Sequence, residues 1–226
     1  MKATFHGHAC FVLERDGKRV IIDPFLTGNP AAVIGPDKLP HLDAILLTHG
    51  HGDHLGDAVA LSQKHGATIV ATYELAQFCA DRGGTSHAMH IGGAHEFPFG
   101  TVKLVPAFHG GQVEGDTTGR YTTSPAGVVV TIGGKAVYHT GDTALTLEMQ
   151  LLAGRIDIML VPIGDNYTMG VADAARAVEF VKPKSVIPMH YNTWDLIKAD
   201  PAEFRRLVGS TSAVTILKPG ESFTLP

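Results

Sequence analysis

The chain has 226 residues, 44% hydrophobic and 18% charged, the proportions of an ordinary globular protein. A chain of this length buries enough surface to form a core without staples. Its net charge of −4 gives no electrostatic case for a nucleic-acid partner, which calls for a basic patch.

No stretch approaches the ~20 apolar residues of a membrane-spanning helix. The first residues, MKATFHGHACFVLERDGKRVIID, alternate like strands and lack the charged start and long apolar run of a signal peptide. Cys10 and Cys79 lie far apart in apolar surroundings. They point to neither a disulfide framework nor a thiolate metal site, and they fit a reducing, cytoplasmic compartment. The anomaly is histidine, present thirteen times.

Beyond the alternating N-terminus, short β-branched runs bounded by Gly, Pro, Asp or Asn predict a strand over 19–22 and another over 44–47. Helical patterns over 55–65 and 73–82 flank a strand over 68–71. Strands over 102–105, 127–132 and 136–138 follow, then a helix over 144–153 and a strand over 156–161. Residues 171–181 set Val171, Ala174, Ala175, Val178 and Val181 on one helical face. A strand over 185–187, a helix over 201–208 opened by Pro201 after Asp200, and a strand over 214–217 end the series.

This order predicts an α/β fold of two packed sheets with helices outside, in two halves meeting near 110–125. Without a separating linker, one domain over 1–226 is expected. Three irregular stretches, 24–41, 110–126 and 163–170, are candidates for functional loops.

The segment LLTHGHGDHLGD carries His49, His51, Asp53 and His54 as H-x-H-x-D-H. It leaves the apolar strand DAILLT as an extended loop, where alternate side chains share a side, so His49 and His51 can reach one metal. A turn after Gly52 lets Asp53 and His54 point together at a second. The alternative, a polar turn of solvated histidines, leaves the density of donors unexplained. Imidazole and carboxylate suit zinc, and also manganese, iron or nickel. His109, Asp142 and His190 each close a strand pattern and could complete the set, although each alone also reads as a capping or loop residue.

These residues resemble the metallo-β-lactamase superfamily along essentially the whole chain. IDP at 22–24, THGHGDH at 48–54, FHG at 108–110, TGDT at 140–143 and PMHY at 188–191 fall in that family's order. HGHACF, IDPFLTGNP and PIGDNYTMG are similar to a small branch of metal-dependent hydrolases related to L-ascorbate-6-phosphate lactonase. The resemblance implies an αββα sandwich with two divalent metal ions at one edge. It implies that His49, His51 and His109 hold one ion, that Asp53, His54 and His190 hold the other, and that Asp142 bridges them. Asp23 would orient a ligand histidine from behind. His8, which shares the HGHACF segment with His6, either approaches the metals from behind or is a satisfied core histidine.

The other histidines read differently. His87, His90 and His95 lack a carboxylate partner and are expected in solvated loops, His41 and His65 at the surface, and His139 facing away from the metals. The expected activity is hydrolysis by metal-activated water, with Asp53 and Asp142 as catalytic carboxylates, on a small lactone or cyclic ester first and a phosphodiester second. A di-iron redox or oxygen-binding protein on the same cage is the competing class. Tyr167 and Thr168 either wall the substrate pocket or cap the helix that follows. A homo-oligomer is left open.

Overall fold

The computed structural model describes residues 1–225. Two seven-stranded sheets face each other. The first holds β1 (Lys2–Phe5), β2 (Phe11–Arg15), β3 (Lys18–Ile22), β4 (Ala44–Leu46), β5 (Thr68–Thr72) and β6 (Ser86–Met89). The second holds β7 (Ala94–Phe97), β8 (Gly100–Pro106), β9 (Ala126–Ile132), β10 (Lys135–His139), β11 (Ile158–Pro162), β12 (Ser185–Met189) and β13 (Ala213–Val214). The last strand, β14 (Ser222–Thr224), returns to pair with β1.

Both sheets follow one plan. In spatial order the first runs β14-β1-β2-β3-β4-β5-β6 and the second β7-β8-β9-β10-β11-β12-β13. In each, the first three pairings are antiparallel and the last three parallel.

Burial explains the composition of the strands. Phe11, Leu13, Ile22, Leu46, Leu104, Val128, Leu160 and Ile187 fill the space between the sheets. Helices α2 (Ala58–His65) and α3 (Tyr73–Ala80) cover the outside of the first sheet through Leu61, Leu75 and Phe78. Helices α4 (Val171–Val181) and α5 (Pro201–Val208) cover the second through Ala174, Val178 and Phe204. Strands β11 and β12 are therefore buried on both faces and read as continuous apolar runs rather than alternating ones. Helix α5 begins as its sequence signals: the Asp200 carboxylate accepts from the Ala202 amide at 2.8 Å, with Pro201 in the first turn.

Four expectations need correction. The change of sheet falls between β6 and β7, not near 110–125. Strands β6, β7 and β14 are too short and polar to show a strand pattern, being edge or near-edge strands. The helix expected over 144–153 is a 3-10 segment, Leu147–Leu152, and of the strand expected over 214–217 only Val214 is strand, within Ala213–Val214. The helix expected over 55–65 divides into α1 (Gly52–Leu55) and α2, with Gly56 in a positive-φ conformation between them.

Candidate metal centre

Each donor stands where a strand ends. His49 and His51 lie in the extended stretch after β4, and Asp53 and His54 sit on α1, the single turn that follows. His109 comes after β8, Asp142 after β10 and His190 directly after β12. The loops thus deliver seven side chains from both sheets to one edge of the sandwich.

The donors fall into overlapping groups whose ligand atoms lie within 4.8 Å of one another: His49, His51 and His109; His49, His54 and Asp142; and His8, Asp53, His54 and His190. His51 Nδ1 is 3.1 Å from His49 Nε2 and 3.2 Å from His109 Nε2. Asp142 sits between the histidines, with Oδ1 3.3 Å from His54 Nε2 and Oδ2 3.0 Å from His190 Nε2 and 3.5 Å from His109 Nε2. Gly110 admits this crowding, because a Cβ there would lie 3.2 Å from the His51 ring.

Behind the donors, Asp23 is fully buried and accepts three hydrogen bonds. They come from the Thr48 amide (2.9 Å), the Thr48 hydroxyl (2.7 Å) and His54 Nδ1 (2.7 Å). The Thr48 hydroxyl spends its one proton on Asp23, so its oxygen can only accept from His49 Nδ1–H at 3.0 Å. Both His49 and His54 are thereby held as Nδ1–H tautomers whose Nε2 atoms face the cleft. The family resemblance implies Asp23 as the residue behind a histidine. It did not reveal that Thr48 carries the same carboxylate's influence to His49, because a threonine beside a metal motif carries no distinguishing signal.

His8 is not on a strand. Strand β1 ends at Phe5, and His8 occupies a left-handed turn with φ 58°. There it reaches the cleft. The Thr193 hydroxyl donates to its Nδ1 (2.8 Å), and its Nε2–H donates to Asp53 Oδ2 (3.1 Å). Trp194 packs against the other side of the ring, at 4.8 Å between centroids. The roles of Thr193 and Trp194 had no signal in the sequence.

The remaining expectations divide. Tyr167 lines the cleft with His51, Asp53, His109, Asp142 and His190. Thr168 is not among the lining residues: its hydroxyl donates to its own neighbour, the Met169 carbonyl, at 3.3 Å. It makes no capping bond to α4 either, whose N-cap is Gly170 with no side-chain hydrogen bond. His139 is buried and occupied elsewhere, donating from Nε2 to the Ala9 carbonyl (2.8 Å) and accepting from the Gly141 amide (3.1 Å). His87 and His95 are on strands β6 and β7 rather than in loops, with rings 4.4 Å apart, and His90 stacks on Tyr73. A larger cavity of about 670 Å³ on the outer face of the second sheet contains none of the donors.

Electrostatics set the protonation states. Burial alone would lower His54, but Asp142 and Asp23 on either side raise it well above the usual imidazole range. Burial would raise Asp142, yet His190 and His54 hold it well below the usual carboxylate range. Burial raises Asp53 too, and the His8 hydrogen bond and the His54 charge bring it down. Burial lowers His49, with the His54 charge adding to the effect. Burial likewise brings His8 down to about 4, so it stands neutral between Thr193 and Asp53. A proton on His54 thus occupies the position that a cation would take, and a cation binding there must displace it.

The residues fit a metal by a direct criterion. His54 Nε2, Asp142 Oδ1 and His190 Nε2 are fully buried and make no aligned hydrogen bond, although they approach one another closely. Buried polar atoms are nearly always paired. Donors aimed at a shared space instead of at each other are what a cation requires.

Similarity to known proteins agrees with this geometry. Residues 18–191 match the model of the β-lactamase superfamily domain. The chain is 52% identical to a metal-dependent hydrolase of Pelotomaculum thermopropionicum and 50% identical to one of Carboxydothermus hydrogenoformans, in both cases over the full length of each chain. Its fold superposes with a TM-score of 0.89 on Igni18, a metallo hydrolase of the archaeon Ignicoccus hospitalis, at 34% identity, covering 100% of this chain and 99% of that one. With its two sheets, its flanking helices and its edge of histidines and aspartates, the chain belongs to the metallo-β-lactamase superfamily and is one of its metal-dependent hydrolases.

Proposed function

We propose that the cleft holds two divalent cations and hydrolyses a small-molecule substrate, a lactone or other cyclic ester before a phosphodiester. His49, His51 and His109 would hold one ion, Asp53, His54 and His190 the other, and Asp142 would lie between. The observation that carries this reading is the buried, unpaired set of His54 Nε2, Asp142 Oδ1 and His190 Nε2, with the tautomers of His49 and His54 fixed from behind. Zinc heads the choice of metal, with manganese, iron and nickel compatible with the same donors.

Paired divalent ions make water acidic enough to react near neutral pH and polarise the bond under attack. The protein's own residues supply the rest. Asp53 is the partly exposed carboxylate, about a quarter accessible, and it can accept a hydrogen bond from an approaching water and so steer its proton. Asp142, almost wholly buried, stays ionised and neutralises charge in the centre. His8 and Thr193 fix the orientation of Asp53. A reducing, cytoplasmic setting suits the two free, buried cysteines.

Metal analysis of reconstituted protein, combined with turnover of lactones, phosphodiesters and thioesters, tests the reading. Colourless zinc- or manganese-loaded protein that hydrolyses one of these classes is the expected result. A coloured iron form active only with oxygen or a reductant would replace hydrolysis with redox chemistry.

A further inference from the structure

Three large aromatic side chains stand exposed on the loops at the donor edge, Phe108 (59%) beside His109, Trp194 (41%) after His190 and Tyr167 (54%) on the loop after β11. An isolated exposed aromatic means little. These three differ in being held in place beside the cleft.

Phe108 immediately precedes His109, and its backbone is fixed at both ends: its amide donates to Thr143 Oγ1 (3.0 Å) and its carbonyl accepts from the Ala144 amide (3.2 Å). The Tyr167 loop is tied to the same residue, because the Met169 amide donates to the Thr143 carbonyl at 3.1 Å. Asp165 and Asn166, just before Tyr167, both adopt positive φ, 60° and 54°. Non-glycine residues enter that region at a cost, and such strain gathers at functional sites. Trp194 leans on His8 and lies 6.3 Å from Phe25 between ring centroids. The aromatic groups are therefore anchored by the residues next to Asp142 and by the partner of Asp53.

The cleft has a volume of about 220 Å³, and no Lys or Arg lines it. That is below the ~300–1,000 Å³ of sites for drug-sized ligands. A charged group on the substrate, away from the reacting bond and from the ions proposed there, would lose water against aromatic surface with no Lys or Arg of the cleft to receive it.

We propose that the substrate is a small, uncharged ester or lactone whose apolar or aromatic part lies against Tyr167 and Trp194. The proposal rests on the hydrolytic reading above and narrows its substrate class to carboxylic esters with an uncharged, apolar remainder. In the reaction the acyl carbon–oxygen bond breaks and a bond from that carbon to the oxygen of water forms. One proton of the water ends on the departing oxygen, and no oxidant or reductant is consumed.

Trp194 is the chain's one tryptophan and packs on His8, the partner of Asp53, so its fluorescence reports on the margin of the cleft. Metal-replete full-length protein is titrated with phenylacetamide and with its para-carboxylate analogue. Turnover of p-nitrophenyl butyrate is compared with that of the mono-p-nitrophenyl ester of succinate and of bis(p-nitrophenyl) phosphate. The neutral amide should bind at least about tenfold more tightly, and the neutral ester should show a kcat/KM at least about tenfold higher than either anion. Tyr167→Ala should raise KM for the neutral ester by about fivefold with kcat and metal content unchanged, and Tyr167→Phe should restore it.

Equal or tighter binding of the carboxylate, faster turnover of either anion, or no fluorescence response to either amide would overturn the proposal. Selective binding of the neutral amide without turnover of any ester would instead overturn the hydrolytic reading and leave the charge selectivity standing.

Discussion

The amide of His190 donates to the carbonyl of His8 at 2.7 Å, and both residues hold left-handed backbone conformations, with φ of 54° and 58°. One residue follows a strand of the second sheet and the other a strand of the first, so this bond joins the two sheets at the candidate metal centre. Asparagine tolerates left-handed backbone better than most residues. His8→Asn should therefore keep the fold while losing the hydrogen bond to Asp53, lowering affinity for the Asp53-side metal by about 10–100-fold. Chelator competition on the folded variant measures this. His8→Ala should be less stable than His8→Asn by about 1 kcal/mol, read as a shift in urea midpoint.

Metal stoichiometry tests the bridging role of Asp142. Reconstituted protein should hold about two ions per chain. Asp142→Ala should reduce both, whereas His109→Ala should mainly weaken the ion near His49 and His51. Full metal content with full hydrolysis in Asp142→Ala would show that this carboxylate does not link the two sites.

Asp23 makes a prediction that separates stability from chemistry. Its removal strands the Thr48 amide and hydroxyl and His54 Nδ1 inside the protein. Asp23→Ala should cost about 3–5 kcal/mol, as expected for one half of a buried charged pair. Asp23→Asn retains an acceptor but frees His49 and His54 to change tautomer. It should fold, bind metal more weakly, and show altered imidazole N–H signals in NMR spectra.

The metal-free protein should be sensitive to mild acid. Burial is the leading cause that lowers His6, His8 and His139, with His8 at about 4. Below about 6.5 the unfolded chain takes up protons that these folded-state imidazoles refuse, so stability falls as pH drops through that window. The His8 shift alone corresponds to roughly 3 kcal/mol at its upper bound. The raised pKa of His54 acts in the opposite sense, its stabilisation being complete below about 6.5 and lost only as pH rises through its folded-state value. Urea midpoints of the metal-free protein should drop between pH 7 and pH 5, and His6→Phe, which cannot titrate, should flatten that drop.

Much of the site was legible because metal chemistry constrains residue type. His49, His51, Asp53 and His54 announce themselves by density, and His109, Asp142 and His190 by standing at strand ends. The long apolar strands and α4 were equally plain, since their burial imposes a period. Short elements were not: β6 and β7, with the sequences SHAM and AHEF, owe their pairing to neighbours distant in the chain. The supporting hydroxyls of Thr48, Thr143 and Thr193 were hidden for the same reason, because a threonine gains meaning only from what the fold puts beside it.

The shared plan of the two sheets has a consequence for how the chain divides its labour. Strand β3 leads to Asp23 and its counterpart β10 to Asp142, so equivalent points of the two halves carry a carboxylate each, one behind the donors and one among them. Strand β1 leads to His8 and its counterpart β8 to His109, a pair of histidines of which one braces and one faces the cleft. After β4 the first half places its histidine loop, whereas after β11 the second half places the loop of Tyr167. The molecule is thus a scaffold used twice and specialised by position, with four of the seven candidate donors in one half and the exposed Phe108, Tyr167 and Trp194 in the other. Exchanging the loop after β11 would alter what is recognised and leave the histidine loop after β4 untouched.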